Sequence, residues 1–152
     1  MFDRIPADKS VMTIGRETNL VTWSAQYSVG VARMDSEHQK LIGLVNDLYT
    51  AMLEGRGRDV IGPTLDGMAA YTVAHFANEE RLMRVHSYPD YEPHKAEHDK
   101  LAQQVKHLQD EFREGKPIVS REVMRFLQHW LVDHIVGVDK KYTRHLHAAG
   151  VK

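Results

Sequence analysis

The stretch HFANEERLMRVHSYPDYEPHKAEHDKL, residues 75–101, decides how the rest of the chain is read. Two pairs in it stand one helical turn apart, His75 with Glu79 and His94 with His98. On a helix, side chains at i and i+4 share a face about 6 Å apart. Both pairs fall where the apolar period of the flanking sequence calls for leucine. Leu65, Met68, Thr72, His75, Glu79, Leu82 and His86 make one seam, and His94, His98, Leu101, Val105, Leu108 and Phe112 make the next. SYPDYEP separates the two helices, with Pro93 starting the second of them.

The same 4-3-4-3 spacing extends outward in both directions. Upstream, Met34, His38, Leu41, Val45, Leu48 and Met52 form a seam that opens at Asp35, read as its N-cap, and stops at GRGRD. Pro63 is expected in the first turn of the helix that follows. Downstream, EGKPIVS ends the third helix, and Ser120 is the expected N-cap of a fourth carrying Val123, Leu127, Trp130, His134, Val138 and Tyr142. The prediction is an all-α fold: an antiparallel up-down-up-down bundle of four helices of roughly 20–30 residues. An extended arm, Leu20–Met34, carries Trp23, Tyr27, Val29 and Val31 and lies against it. Residues 1–20 read as a flexible tail, and residues 21–147 as the bundle.

Each seam includes a metal-competent side chain: His38 in the first helix, His75 and Glu79 in the second, His94 and His98 in the third, His134 in the fourth. Burying one unpartnered polar group costs on the order of 2–7 kcal/mol. A domain holds only about 5–15 kcal/mol of net stability, so a layer of such groups would unfold it. A metal ion supplies the missing partner. A single seam histidine is more often hydrogen-bonded core than ligand. Histidines on all four helices at once have no such independent explanation. With no cysteine, thiolate zinc sites, iron–sulfur clusters and disulfides are excluded, leaving histidine and carboxylate as ligands.

Other classes find less support. Asp and Glu number 21 against 20 Lys and Arg, so no basic footprint for nucleic acid or an anionic membrane is visible. No window is apolar enough to span a bilayer, and the expected location is cytoplasmic. His107, His129, His145 and His147 read as surface residues, and His86 as lying near the bundle end. Trp130 and Tyr71, each one turn before a seam histidine, should face the metal layer.

The pieces WSAQYSVGVARMDSEHQKL (from Trp23), HFANEE (from His75), HKAEH (from His94) and HIVGVD (from His134) resemble the bacterial hemerythrins. These are four-helix di-iron proteins that bind dioxygen reversibly. The resemblance runs from about Trp23 to Tyr142 and carries all seven ligand positions. It implies two irons per chain, joined by Glu79, Asp139 and an oxo or hydroxo group. It further implies that His94, His98 and His134 hold one iron, and His38 and His75 the other. Dioxygen is the implied ligand, with nitric oxide and azide as related small ligands. Leu41, Phe76, Leu101 and Trp130 are expected to line its pocket.

Counting adds detail. Six ligands on each of two irons make about twelve positions. Five histidines, two bridging carboxylates and one bridging oxygen fill eleven. The open position falls to the iron assigned His38 and His75. Two enzyme readings stand beside dioxygen binding. A di-iron oxidase or oxygenase would use a more carboxylate-rich shell than five imidazoles and two carboxylates. A metal-dependent phosphohydrolase rests only on the His98-Asp99 doublet. One geometric problem remains. Asp139 follows His134 by five residues, which turns it about 140° away on a regular helix. A π-bulge or a broken i→i+4 bond is therefore expected between them, eased by Gly137.

Overall fold

A computed structural model describes residues 19–152. Residues 1–18, most of the expected tail, lie outside the described residues. Four long helices follow one another: α1 (Ala32–Leu53), α2 (Arg58–Val85), α3 (Tyr91–Arg113) and α4 (Arg121–Gly137). A 3-10 turn, Asp139–Tyr142, and a short α5, Thr143–Ala148, complete the chain. Neighbouring helices run antiparallel, as their contacts show. Arg58 at the start of α2 donates to the Phe112 carbonyl at the end of α3 (2.5 Å), and the α4 residue Trp130 donates from its indole to the Leu101 carbonyl (3.2 Å). Among the described residues no helix is long and apolar enough to cross a membrane.

The expected seams form most of the core, but Phe112, Val123 and Val138 are only half-buried, Met124 takes the place of Val123, and α2 shifts register. Met34, His38, Leu41, Val45, Leu48 and Met52 are all buried, as are His94, His98, Leu101, Val105 and Leu108. In α2, however, Met83 is buried where Leu82 was expected, and Leu82 and His86 are half-buried. A helix advances about 100° per residue. Two more turns of strict 4-3 spacing therefore drift off the face that a straight helix presents.

Helix starts follow their capping chemistry in part. Ser120 Oγ accepts from the Val123 N–H at 3.1 Å, as expected. Pro93 sits in the first turn of α3. Pro63 lies one turn further into α2 than expected, because that helix begins at Arg58. Asp35 is not the cap of α1, which begins at Ala32. Its carboxylate instead reaches back to the arm, accepting from Ser28 Oγ (2.5 Å) and the Val29 N–H (2.8 Å).

The arm is tied down along its length. Asn46 brackets Val21, accepting its N–H at 3.1 Å and donating to its carbonyl at 2.8 Å. Gln128 of α4 donates to the Leu20 carbonyl. Val21, Val29 and Val31 are buried. Near the end of the arm Gly30 has φ +71°, and a Cβ there would meet the His147 ring at 2.9 Å. That close approach lets Thr143 Oγ1 and His147 Nε2 donate to the Val29 and Gly30 carbonyls, each at 2.6 Å, so α5 clamps the arm. The Asp35→Ala variant should lose about 2 kcal/mol of stability, read from its urea midpoint, and should red-shift Trp23 fluorescence. An unchanged midpoint would show that the carboxylate does not hold the arm.

Candidate metal centre

At the middle of the bundle the seam histidines meet. Two groups of side chains bring their ligand atoms within 4.8 Å of one another: Glu79, His94, His98, His134 and Asp139 in one, and His38, His75, Glu79 and Asp139 in the other. All seven residues are buried, and Glu79 and Asp139 belong to both groups. The i, i+4 spacing on α2 and α3 aims each pair inward, while α1 and α4 contribute one histidine apiece. All five imidazoles present Nε2 to the carboxylates.

Asp139 arrives by a local break in the chain. α4 ends at Gly137, shorter than expected at 17 residues, and Val138 turns out of the helix with φ −118° and ψ −54°. Its N–H still bonds to the His134 carbonyl at 2.8 Å before the 3-10 turn starts at Asp139. Of the two expected irregularities the chain takes the break, not the π-bulge, and the off-helix angles fall on Val138 rather than Gly137. The turn swings the Asp139 carboxylate to 2.9 Å from both His94 and His134 and 3.0 Å from His38.

The donor chemistry fits a metal. Nε2 of His38, His94 and His134 and both Asp139 oxygens are buried with no hydrogen-bond partner, although they sit about 3 Å apart. Imidazole nitrogens and carboxylate oxygens converge there, and no donor from outside the cluster reaches them. Such groups are costly to bury, and a cation between them removes the cost. The outward nitrogens are selectively anchored. His75 Nδ1 donates to Glu37 Oε1 (2.7 Å), and His98 Nδ1 donates to Glu80 Oε2 (2.8 Å). Glu37 is itself held by Arg33 and Asn78, each at 3.2 Å. Carboxylates placed this way fix the ring and raise its basicity toward a metal. Sequence reasoning missed Glu37, Glu80 and the Tyr142 hydroxyl, which donates to Glu79 Oε2 at 2.7 Å. Adjacency to a predicted ligand, as in Glu37-His38 and Glu79-Glu80, was the available signal for the first two.

The remaining expectations sort by position. Leu41, Phe76, Leu101 and Trp130 line one cavity of about 10 Å3 together with His38, His75 and His134. The Phe76 ring stacks on His98 at 4.0 Å. Tyr71 is half-buried and lies under the Lys40 ammonium, away from that cavity. His107 and His129 are exposed beside Glu111 and Asp133. His145 and His147 bond to the carbonyls of His86 and Gly30, so both help to hold the end of the bundle. Asp99 points outward to Lys95, 2.9 Å away, which removes the support for the phosphohydrolase reading.

A family model described as the hemerythrin HHE cation binding domain matches residues 29–146. The chain belongs to the hemerythrin family. A bacteriohemerythrin of Methylococcus capsulatus is 40% identical over 124 residues, covering 81% of this chain and 94% of that protein. A myohemerythrin of Theromyzon tessulatum is 29% identical over 120 residues, covering 79% and 88%. The crystal structure of a wild-type hemerythrin superposes with a TM-score of 0.78 at 39% identity, covering 84% of this chain and 98% of that one.

Without metal, protons take over part of its role. Burial disfavours charge on His38 and His134, but the Asp139 and Glu79 carboxylates outweigh it and raise both imidazoles to about 10. Burial likewise opposes charge on Glu79, whose carboxyl is nevertheless held well below its usual range by His134, His38, His94 and His98. Asp139 is lowered too, against burial and the Glu79 charge, by His134 and His38. The raised imidazoles add stability that is complete below their unfolded value of 6.5 and is lost as pH rises toward 10. The lowered carboxyls add stability present above their unfolded values of 4.5 and 3.8 and lost as pH falls through the folded ones. Metal-free protein should therefore be most heat-stable between pH 4.5 and 6.5, with a melting midpoint that falls from there to pH 10. A midpoint that rises over the alkaline range would contradict this balance.

Proposed function

We propose that this protein binds dioxygen reversibly at a non-haem di-iron centre held by His38, His75, Glu79, His94, His98, His134 and Asp139. The observation that carries this reading is the sharing of Glu79 and Asp139 between two groups of buried ligands. Two ions, each with its own imidazoles and one oxygen of each shared carboxylate, would satisfy every donor. One ion would leave some of them stranded. Family membership supports iron as the metal.

When bound, the iron pair supplies the electrons that dioxygen borrows and returns. The chain does the rest. Five imidazoles against two carboxylates keep the ligand set electron-poor, which favours binding over oxygen activation. Glu37 and Glu80 hold the rings of His75 and His98 in place. The cavity bordered by His38 and His75 is walled by Leu41, Phe76, Leu101 and Trp130, so water there finds few polar partners. Its small volume leaves room beside His38 and His75 for a small ligand only, not for an organic substrate. The cavity reaches His134 on the three-imidazole side, but neither His94 nor His98 lines it. This supports ligand binding at the ion held by His38 and His75.

Reduced protein should change its visible absorption when oxygen is added and return to the starting spectrum when oxygen is removed. The oxidised form should bind one azide per iron pair. One zinc per chain without iron absorption, or irreversible bleaching by oxygen, would overturn the proposal. His98→Ala and Glu79→Ala should each lose iron, by metal analysis, and lower the melting midpoint.

A further inference from the structure

Glu79 has an attachment that none of the imidazoles supplies. Its two oxygens face different groups. Oε1 lies 2.9, 3.3 and 4.0 Å from Nε2 of His98, His94 and His134. Oε2 lies 3.5 and 3.7 Å from Nε2 of His38 and His75. On the three-imidazole side the shortest contact to Glu79 is that of His98 Nε2, and the atom of this ring that donates is Nδ1, to Glu80. On the two-imidazole side the donor is Tyr142, whose hydroxyl donates to Oε2 at 2.7 Å. Both side chains are wholly buried, so water cannot substitute for the phenol.

We propose that Tyr142 is a positioning residue that keeps Glu79 Oε2 turned toward His38 and His75, and so determines whether the second metal is held. The inference rests on the two-metal reading above. The donor sets explain why the effect should fall on one side. The three-imidazole group has five donors: His94, His98, His134, Glu79 Oε1 and Asp139 Oδ1. The other has four: His38, His75, Glu79 Oε2 and Asp139 Oδ2. Without the phenol no group outside the ligand cluster holds Oε2, so the carboxylate can tilt about Oε1, swinging Oε2 away from His38 and His75 while Oε1 stays on the three-imidazole side. That side then loses nothing, while the other drops to three donors.

Phenylalanine at this position separates positioning from packing. The Tyr142 ring stacks on His94 at 5.7 Å with planes 8° apart, and meets Tyr88 edge-on at 6.4 Å. Tyr142→Phe keeps both contacts and removes one oxygen atom. The test is a titration of metal-free full-length protein with Co2+ under anaerobic conditions, followed by visible absorption, with helix content checked by circular dichroism. Wild-type protein should take two equivalents. The variant should bind the first as wild type does and the second about 10- to 100-fold more weakly, the range usual for lost outer contacts. Two equivalents with unchanged affinities would overturn the assignment. Equal weakening of both would also overturn it, since that is what a purely structural tyrosine produces. A wild-type chain that takes only one Co2+ would instead overturn the two-metal reading, and this role with it.

Discussion

Two carboxylates, Glu79 and Asp139, stand fully buried among five imidazoles, and the rest of the bundle is arranged around that fact. Buried charge is tolerable only when each donor has a partner. Here the partners are unevenly supplied. His75, His98 and Glu79 have protein hydrogen bonds from outside the convergence point, whereas the Asp139 oxygens and three Nε2 atoms have none. Those orphaned atoms all point at one another. A cavity of apolar walls would not produce that pattern, and a cluster of salt-bridged surface groups would not bury it.

The break after α4 follows from the same constraint. A regular helix through residues 134–139 would leave the Asp139 carboxylate about 140° from the face that carries His134. Ending the helix at Gly137 and continuing as a 3-10 turn brings it to within 2.9 Å of the His134 ring. The turn also delivers Tyr142 to Glu79 and leads into α5, which clamps the arm through Thr143 and His147. One short irregular segment therefore joins the ligand cluster to the N-terminal arm. Chain separation along it is large: His147 and Gly30 are 117 residues apart in sequence.

Much of this was legible in the amino-acid sequence, and most of the exceptions share a cause. Seam spacing is a local signal, so the four helices and their buried faces could be read directly, down to Met34, Leu48, Val105 and Leu127. Six of the seven clustered positions were readable because polar side chains on an apolar seam contradict the pattern around them; Asp139, off the seam of its helix, came only from the resemblance to the hemerythrins. Most of what could not be read was set by distant contacts. Asp35 looked like a cap and instead holds Ser28 and Val29, since the arm folds back on α1. Leu82 lost its place to Met83 for a different reason, the drift of 4-3 spacing along a straight helix. Tyr71 sits beneath Lys40 of α1, which no spacing within α2 could show. Glu37 and Glu80 lie on the flanks of their helices, where a carboxylate ordinarily means solvent, and only the tertiary fold brings them to His75 and His98.

The proposed function turns on two metal ions joined by the shared carboxylates. X-ray absorption at the iron edge of iron-loaded protein tests that pairing most directly, because it registers a neighbouring iron independently of any oxygen chemistry. Nitrogen and oxygen donors are expected in the first coordination sphere, with a second iron just beyond them. An iron environment with light-atom scatterers alone, at full loading, would contradict the pairing.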